Sequence, residues 1–175
     1  MFLYFAINNN KYVVFKVPSK QIKEGDPAPK FSLQGNDGKV YSIDEFKGKY
    51  VVVYFYPKDD TPGCTAEACS FRDLNDEIRK LGAEVIGISK DPIDSHNKFR
   101  SKYSLNFLLL SDPKSKTIKE FGAYGNRGVF GMGTLRKTYI IDKKGKIAKI
   151  FENIKPEEHA QKALEYLREH ANAAS

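Results

Sequence analysis

The chain has 175 residues, 41% hydrophobic and 29% charged, a composition typical of a globular protein that buries one core. Its net charge of +7 comes from 29 basic and 22 acidic residues spread along the chain, which argues against nucleic-acid binding. Two cysteines are too few for a disulfide scaffold, and their close spacing is typical of redox chemistry in a reducing compartment. The three histidines lie far from both cysteines in sequence, so no zinc site is expected.

The first twenty residues are predicted to be an extension that contains a β-hairpin. Two apolar runs, 2–7 and 12–17, flank a turn rich in asparagine, which tolerates positive φ. We expect this hairpin to cover an edge of the main sheet. The apolar start lacks a basic segment and is too short to span a bilayer, so we expect no secretory signal, no membrane association and a cytoplasmic location.

Residues 21–175 are predicted to form a single domain. After a turn-rich segment, residues 31–33 and 40–43 flank Asn-Asp-Gly, which indicates a second hairpin. Residues 51–56 are all apolar or aromatic, as in a strand that is buried on both faces of a parallel or mixed sheet. A long helix from Pro62 to about residue 81 is expected to follow this strand.

The rest of the chain continues the alternation of strands and helices. The predicted elements are a strand over 83–89, a helix over 94–103, a strand over 107–110, a helix over 115–121, a hairpin of strands 136–141 and 146–151, and a last helix from Pro156. Residues 122–133 contain five glycines and are predicted to be a flexible or tightly turned loop. This pattern predicts an α/β fold, a thioredoxin-like three-layer sandwich whose central mixed sheet is flanked by helices.

The junction between strand 51–56 and the long helix is the most informative stretch. Thr61 followed by Pro62 is a helix-start signal, because the hydroxyl can cap free N–H groups and proline is tolerated at the first helical position. Cys64 then lies in the first helical turn, where the pKa of a cysteine can fall from about 8.5 to roughly 3.5–7.5. Cys64 is therefore a candidate nucleophile; the alternative is a small buried hydrophobic residue.

The same junction carries a family motif. Residues 57–64, Pro-Lys-Asp-Asp-Thr-Pro-Gly-Cys, match the Pro-x-x-x-Thr-x-x-Cys signature of the peroxiredoxins. The sequence around this motif resembles the bacterioferritin comigratory protein (Prx-Q) subfamily. The resemblance lies in Tyr-Phe-Tyr before the motif, in Cys69 five residues after Cys64, and in Phe-Arg-Asp at 71–73. The resemblance extends to the last helix and leaves residues 1–20 outside it.

This resemblance implies a thiol peroxidase that reduces hydrogen peroxide and alkyl hydroperoxides without a metal or organic cofactor. Cys64 would become a sulfenic acid, which Cys69 would resolve as an intramolecular disulfide. Thioredoxin or a similar dithiol reductant would recycle the enzyme, which we expect to be a monomer or a weak dimer. Arg136 matches the position of the family's active-site arginine. The Thr61 hydroxyl could form hydrogen bonds to the sulfur and the peroxide, or act as a plain helix cap. Pro57 would form part of the wall of the peroxide pocket.

Three further polar residues are expected to have no catalytic role. Glu67 and Arg72 are predicted mainly as solvated helix residues whose spacing could let them interact. His96 is predicted as a surface helix residue rather than a base.

Two other functions remain open on the sequence. A protein-disulfide oxidoreductase could use this fold and a cysteine pair, but such enzymes generally carry Cys-x-x-Cys, which this chain lacks. A redox sensor or chaperone-like binding module could use oxidation of Cys64 as a switch. Peroxide consumption coupled to thioredoxin oxidation would distinguish the three functions.

Overall fold

A seven-stranded mixed sheet forms the centre of the computed structural model, which describes residues 3–8, 11–16 and 21–171. The elements, in chain order, are β1 (Leu3–Asn8), β2 (Lys11–Lys16), β3 (Ser32–Gly35), β4 (Val40–Ser42), β5 (Tyr50–Phe55), α1 (Pro62–Lys80), β6 (Ala83–Ser89), α2 (Ile93–Tyr103), β7 (Leu108–Ser111), α3 (Lys116–Glu120), β8 (Tyr124–Asn126), β9 (Met132–Thr134), β10 (Lys137–Ile141), β11 (Ile147–Glu152) and α4 (Glu158–His170).

The strand order in the large sheet is β11-β10-β5-β6-β7-β3-β4. Strands β5, β6 and β7 are parallel to one another, and the other neighbouring pairs are antiparallel. All six residues of β5 are buried, as expected for an apolar run that lies between two covered faces. Helices therefore have to lie on both faces of the sheet.

The core consists of two hydrophobic clusters, one on each face of the sheet. On one face, Tyr54 of β5 packs with residues of α1, α2 and α4, represented by Phe71, Phe99 and Leu164. The cluster on the other face contains Phe55 and residues of α3 and the segment before β3, among them Ile118 and Phe31. The predicted α/β three-layer sandwich is confirmed.

Most predicted elements are confirmed, with ends that differ by at most two residues. The glycine-rich segment 122–133 differs more, because β8 and β9 pair within it as a short antiparallel hairpin. Strands β1 and β2 also form a hairpin, whose turn lies outside the described residues. Within the described chain they pair only with each other, so they do not extend the large sheet. No described helix is long and apolar enough to cross a membrane.

The packing of α1 on the sheet gives a stability prediction. Phe71 is fully buried, and its ring centroid lies 4.6 Å from that of Tyr54 and 6.3 Å from that of Phe107. Phe71→Ala should lower the free energy of unfolding by about 3–5 kcal/mol, because it leaves a cavity beneath the sheet. Denaturant unfolding measures this change. Asp76→Ala, on the exposed face of α1, is the control and should change stability by less than about 0.5 kcal/mol. Similar midpoints for both variants would contradict the prediction.

Candidate active site

Cys64 lies in the first turn of α1, just beyond the carboxyl end of β5. Thr61 is the N-cap residue with an extended backbone (φ −96°, ψ 154°), and Pro62 occupies the first helical position. Only 1% of Cys64 is exposed. The predicted helix start is confirmed, and it places a buried thiol where free N–H groups and the helix dipole favour a negative charge.

The hydroxyl of Thr61 does not cap the helix, contrary to one of the two roles expected for it. It donates a hydrogen bond to the carbonyl oxygen of Lys58 at 2.9 Å, and no capping bond to it is found among the described residues. Because this bond uses the hydroxyl proton, the oxygen retains lone pairs that can accept a hydrogen bond. Pro57, at the other end of the loop, is half-buried.

Arg136 brings a cation to the thiol from a different strand. It directly precedes β10, and the pairing of Lys137 with Phe55 places it beside the end of β5. Its Nη2 atom donates to the Cys64 Sγ atom at 3.4 Å. Gly63 leaves the space for this approach, since a Cβ atom there would lie 3.1 Å from Nη2.

Glu67, one helical turn after Cys64, also faces Arg136. It is 0% exposed and accepts a hydrogen bond from the Nη1 atom of Arg136. The expectation of a solvated residue is therefore wrong. Burial raises the pKa of the Glu67 carboxyl to about 8, although Arg136 acts in the opposite direction. Two acidic groups, the Cys64 thiol and the Glu67 carboxyl, thus share one guanidinium.

His159 of α4 covers Glu67 from the other side. Its Nδ1 atom lies 3.8 Å from Glu67 Oε1 and 2.8 Å from the hydroxyl oxygen of Thr138. Burial, reinforced by the positive charge of Arg136, lowers the pKa of His159 to about 4, so the ring is neutral at pH 7. Within the described chain, no group of three or more His, Cys, Asp or Glu side chains could hold a metal ion.

Cys69 lies on α1 five residues after Cys64 and is half-buried. Neither cysteine is in a disulfide. The helix is continuous from Pro62 to Lys80, so both thiols belong to one unbroken α-helix. Their Cα atoms are consequently about 8.6 Å apart, as the pitch of the helix requires.

Sequence reasoning missed the burial of three polar residues near this site, Glu67, His96 and His159. His96 is 0% exposed rather than on the surface. Arg72 does not interact with Glu67; it donates to the carbonyl oxygen of Tyr103 and pairs with Asp73. The helical spacing gave a partial indication of this burial. Glu67 is three residues after Cys64, and His96 is three residues before the buried Phe99, so each lies on the same helix face as a buried residue.

Comparisons with known proteins agree with this arrangement. Residues 24–150 match the model of the AhpC/TSA family. The chain is 47% identical over 149 residues to the chloroplastic peroxiredoxin Q of Populus jackii, covering 85% of this chain and 69% of that protein. It is 43% identical over 153 residues to peroxiredoxin Bcp of Escherichia coli (strain K12), covering 86% and 98%.

Among solved structures, the bacterioferritin comigratory protein of Xanthomonas campestris is similar, with a TM-score of 0.77 and 31% identity over 81% of this chain and 92% of that one. The family match spans most of the domain and includes Cys64 and Arg136. The chain therefore belongs to the AhpC/TSA family and is a peroxiredoxin, a thiol-dependent peroxidase with the thioredoxin-like fold.

Proposed function

We propose that the protein reduces hydrogen peroxide and alkyl hydroperoxides with Cys64 as the attacking thiol. The observation that carries the proposal is the 3.4 Å contact between Arg136 Nη2 and Cys64 Sγ at the start of α1. A fixed cation and a helix N-terminus together favour the thiolate, which is the reactive form of cysteine. The Xanthomonas campestris relative has alkyl peroxide reduction activity, which supports the wider substrate class.

The proposed attack uses the groups around the thiol. The thiolate sulfur attacks one peroxide oxygen, the O–O bond breaks, and the other oxygen leaves as water or an alcohol after taking up a proton. The sulfur is oxidised to a sulfenic acid. Arg136 donates hydrogen bonds to the sulfur and to the charge that develops on oxygen, and the Thr61 oxygen accepts the peroxide's proton in a hydrogen bond. Pro57 limits the pocket on the side of the loop.

The first functional prediction concerns Cys64 and Arg136. Cys64→Ser should abolish peroxide reduction, and Arg136→Ala should slow it by about 10²–10³-fold, because a donor aimed at the reacting atoms is lost. Stopped-flow mixing of the reduced protein with hydrogen peroxide measures the rate.

Arg168→Ala is the matched control, since Arg168 pairs with Glu77 on the surface, and this variant should retain the wild-type rate. Near-normal turnover by Cys64→Ser would show that another group attacks the peroxide.

We further propose that Cys69 resolves the sulfenic acid. Its thiolate would attack the Cys64 sulfur and expel the sulfenic oxygen as water once protonated, which leaves an intramolecular disulfide. Disulfides require Cα atoms within about 7 Å, closer than the pitch of an α-helix allows for these two residues. Residues 62–69 therefore have to unwind. Each backbone hydrogen bond lost costs about 1 kcal/mol net, which the disulfide must offset.

The second functional prediction tests this unwinding. Amide hydrogen exchange over residues 65–69, whose N–H groups are bonded within α1 from Thr65 onward, should be slow in the reduced protein and fast in the disulfide form, because the helical hydrogen bonds are broken. Cys69→Ser is the control, because it can be oxidised by one equivalent of peroxide but cannot form the disulfide. It should stop as a sulfenic acid and keep its helical protection. Equal protection in reduced and oxidised wild type would rule out the unwinding.

A thioredoxin-type dithiol is the proposed reductant, because an intramolecular disulfide is opened by thiol–disulfide exchange. Two cysteines that alternate between thiols and a transient disulfide suit a reducing compartment, which supports the proposed cytoplasmic location. Four large hydrophobic residues are strongly exposed among residues 21–171, three of them within 129–132. So small an apolar surface supports a monomer or weak dimer rather than an obligate dimer, whose interface buries about 2,000 Å² or more. No observation favours the oxidoreductase or sensor alternatives.

The third functional prediction concerns pH. The pKa of Glu67 is raised from 4.5 to about 8, so the folded state keeps a proton that the unfolded state releases. Below pH 4.5 the Glu67 carboxyl is protonated in both the folded and the unfolded state, so it does not lower the free energy of unfolding. Between pH 4.5 and 8 the wild type should lose stability relative to Glu67→Gln, since burying the carboxyl then requires proton uptake.

Denaturant unfolding of both proteins at pH 5 and pH 8 measures the difference. Glu77→Gln, at an exposed position on the same helix, is the control and should show no such pH dependence relative to wild type. Parallel pH profiles for wild type and Glu67→Gln would contradict the prediction.

A further inference from the structure

The loop between β5 and α1, which carries Pro57 and Thr61, is held from the side by α2. Its central residue, Asp59, is buried and accepts three side-chain hydrogen bonds. Tyr56 Oη donates to Oδ1 at 2.6 Å, and Ser95 Oγ and His96 Nδ1 lie 2.8 Å from Oδ2. Two of these three partners belong to α2, so the helix fixes the carboxylate and the loop with it.

His96 differs from the other two partners because its ring connects Asp59 to the central sheet. Its Nε2 atom lies 3.0 Å from the carbonyl oxygen of Leu110 on β7. A carbonyl oxygen can only accept a hydrogen bond, so the Nε2 atom carries a proton. The contact between Nδ1 and the Asp59 carboxyl requires a second proton, which lies between the ring and the carboxyl. The ring is 0% exposed and both nitrogens have partners, which leaves it one orientation. His96 thus connects the loop to the core of the sheet.

The next residue in the loop is strained and is held by the same helix. Asp60 has φ 55°, in the left-handed region that L-residues other than glycine seldom adopt. Its carboxylate accepts from Lys102 Nζ at 2.8 Å and from Tyr103 Oη at 2.6 Å. Residues from both ends of α2 therefore hold two consecutive positions of the loop.

We propose that His96 is a positioning residue of the peroxidase reaction. Through Asp59 it fixes the loop, and hence the place of Cys64 relative to Arg136. The two reacting partners come from separate elements, α1 and β10, so their 3.4 Å contact depends on where the loop starts the helix. The proposal rests on the proposed attack by Cys64. A displacement of about 1 Å at a reacting group can cost about 100-fold in rate.

The test compares His96→Leu with Asn75→Ala. Asn75 is a fully buried polar residue of α1 that donates to the carbonyl oxygen of Asn106 at 3.0 Å and does not contact the loop. Both variants should lower stability. Only His96→Leu should slow single-turnover reaction with hydrogen peroxide, by about 10–100-fold, and shift the pH titration of the Cys64 thiolate absorbance. His96→Gln, which retains a donor for Asp59, should recover part of the rate.

A milder variant covers the case in which His96→Leu does not fold. Ser95→Ala combined with Tyr103→Phe removes one donor each from Asp59 and Asp60 and should slow the reaction by about fivefold or more, the equivalent of one hydrogen bond. Exchange of the Asp59 amide, which donates to Asp91 Oδ2 at 2.9 Å, should become faster in this variant, whether or not peroxide is present.

The outcomes separate this inference from the proposed function. A wild-type protein that does not react with peroxide would overturn the attack by Cys64 and the role of His96 in it. A reactive wild type whose loop variants keep its rate, its thiolate titration and its exchange at Asp59 would overturn the positioning role alone.

Discussion

The guanidinium of Arg136 lies between a thiol and a carboxyl that are both removed from water. Cys64 and Glu67 are each almost completely buried, and Arg136 contacts both. One cation can neutralise one anion, so in this low-dielectric site the second acidic group is favoured in its protonated form. The availability of the thiolate therefore depends on which group holds the proton, and the rest of the site determines that balance.

Three parts of the fold maintain this arrangement. The pairing of β10 with β5 brings Arg136 to the start of α1, and Gly63 leaves room for its guanidinium. From α4, neutral His159 covers Glu67 without adding a charge. From α2, a hydrogen-bonded network holds the loop that begins the helix. The reactive group is thus placed by elements that are far apart in sequence.

Much of the fold could be predicted from sequence, because apolar runs and turn residues indicate strands and helices locally. Cys64 and Arg136 could also be singled out, since Cys64 lies in the family motif and Arg136 matches the position of the family's active-site arginine. The burial of Glu67, His96 and His159 depends on which helix packs on which, and that is a property of the tertiary structure. Composition alone favours exposure for Glu67, as charged residues are rarely buried without a partner.

In the proposed disulfide mechanism, Glu67 would also link the oxidation state of the protein to the proton concentration. Its carboxyl is held near pKa 8 only while α1 is intact and covered by α4. If residues 62–69 unwind as proposed to form the disulfide, the carboxyl would meet water and return toward its ordinary pKa of 4.5, and it would release a proton near neutral pH. Reduction would then take that proton up again. One extra proton per two electrons would make the midpoint potential of this disulfide fall by about 30 mV more per pH unit than the two thiols alone would cause. The disulfide would therefore be easier to reduce in a slightly acidic solution.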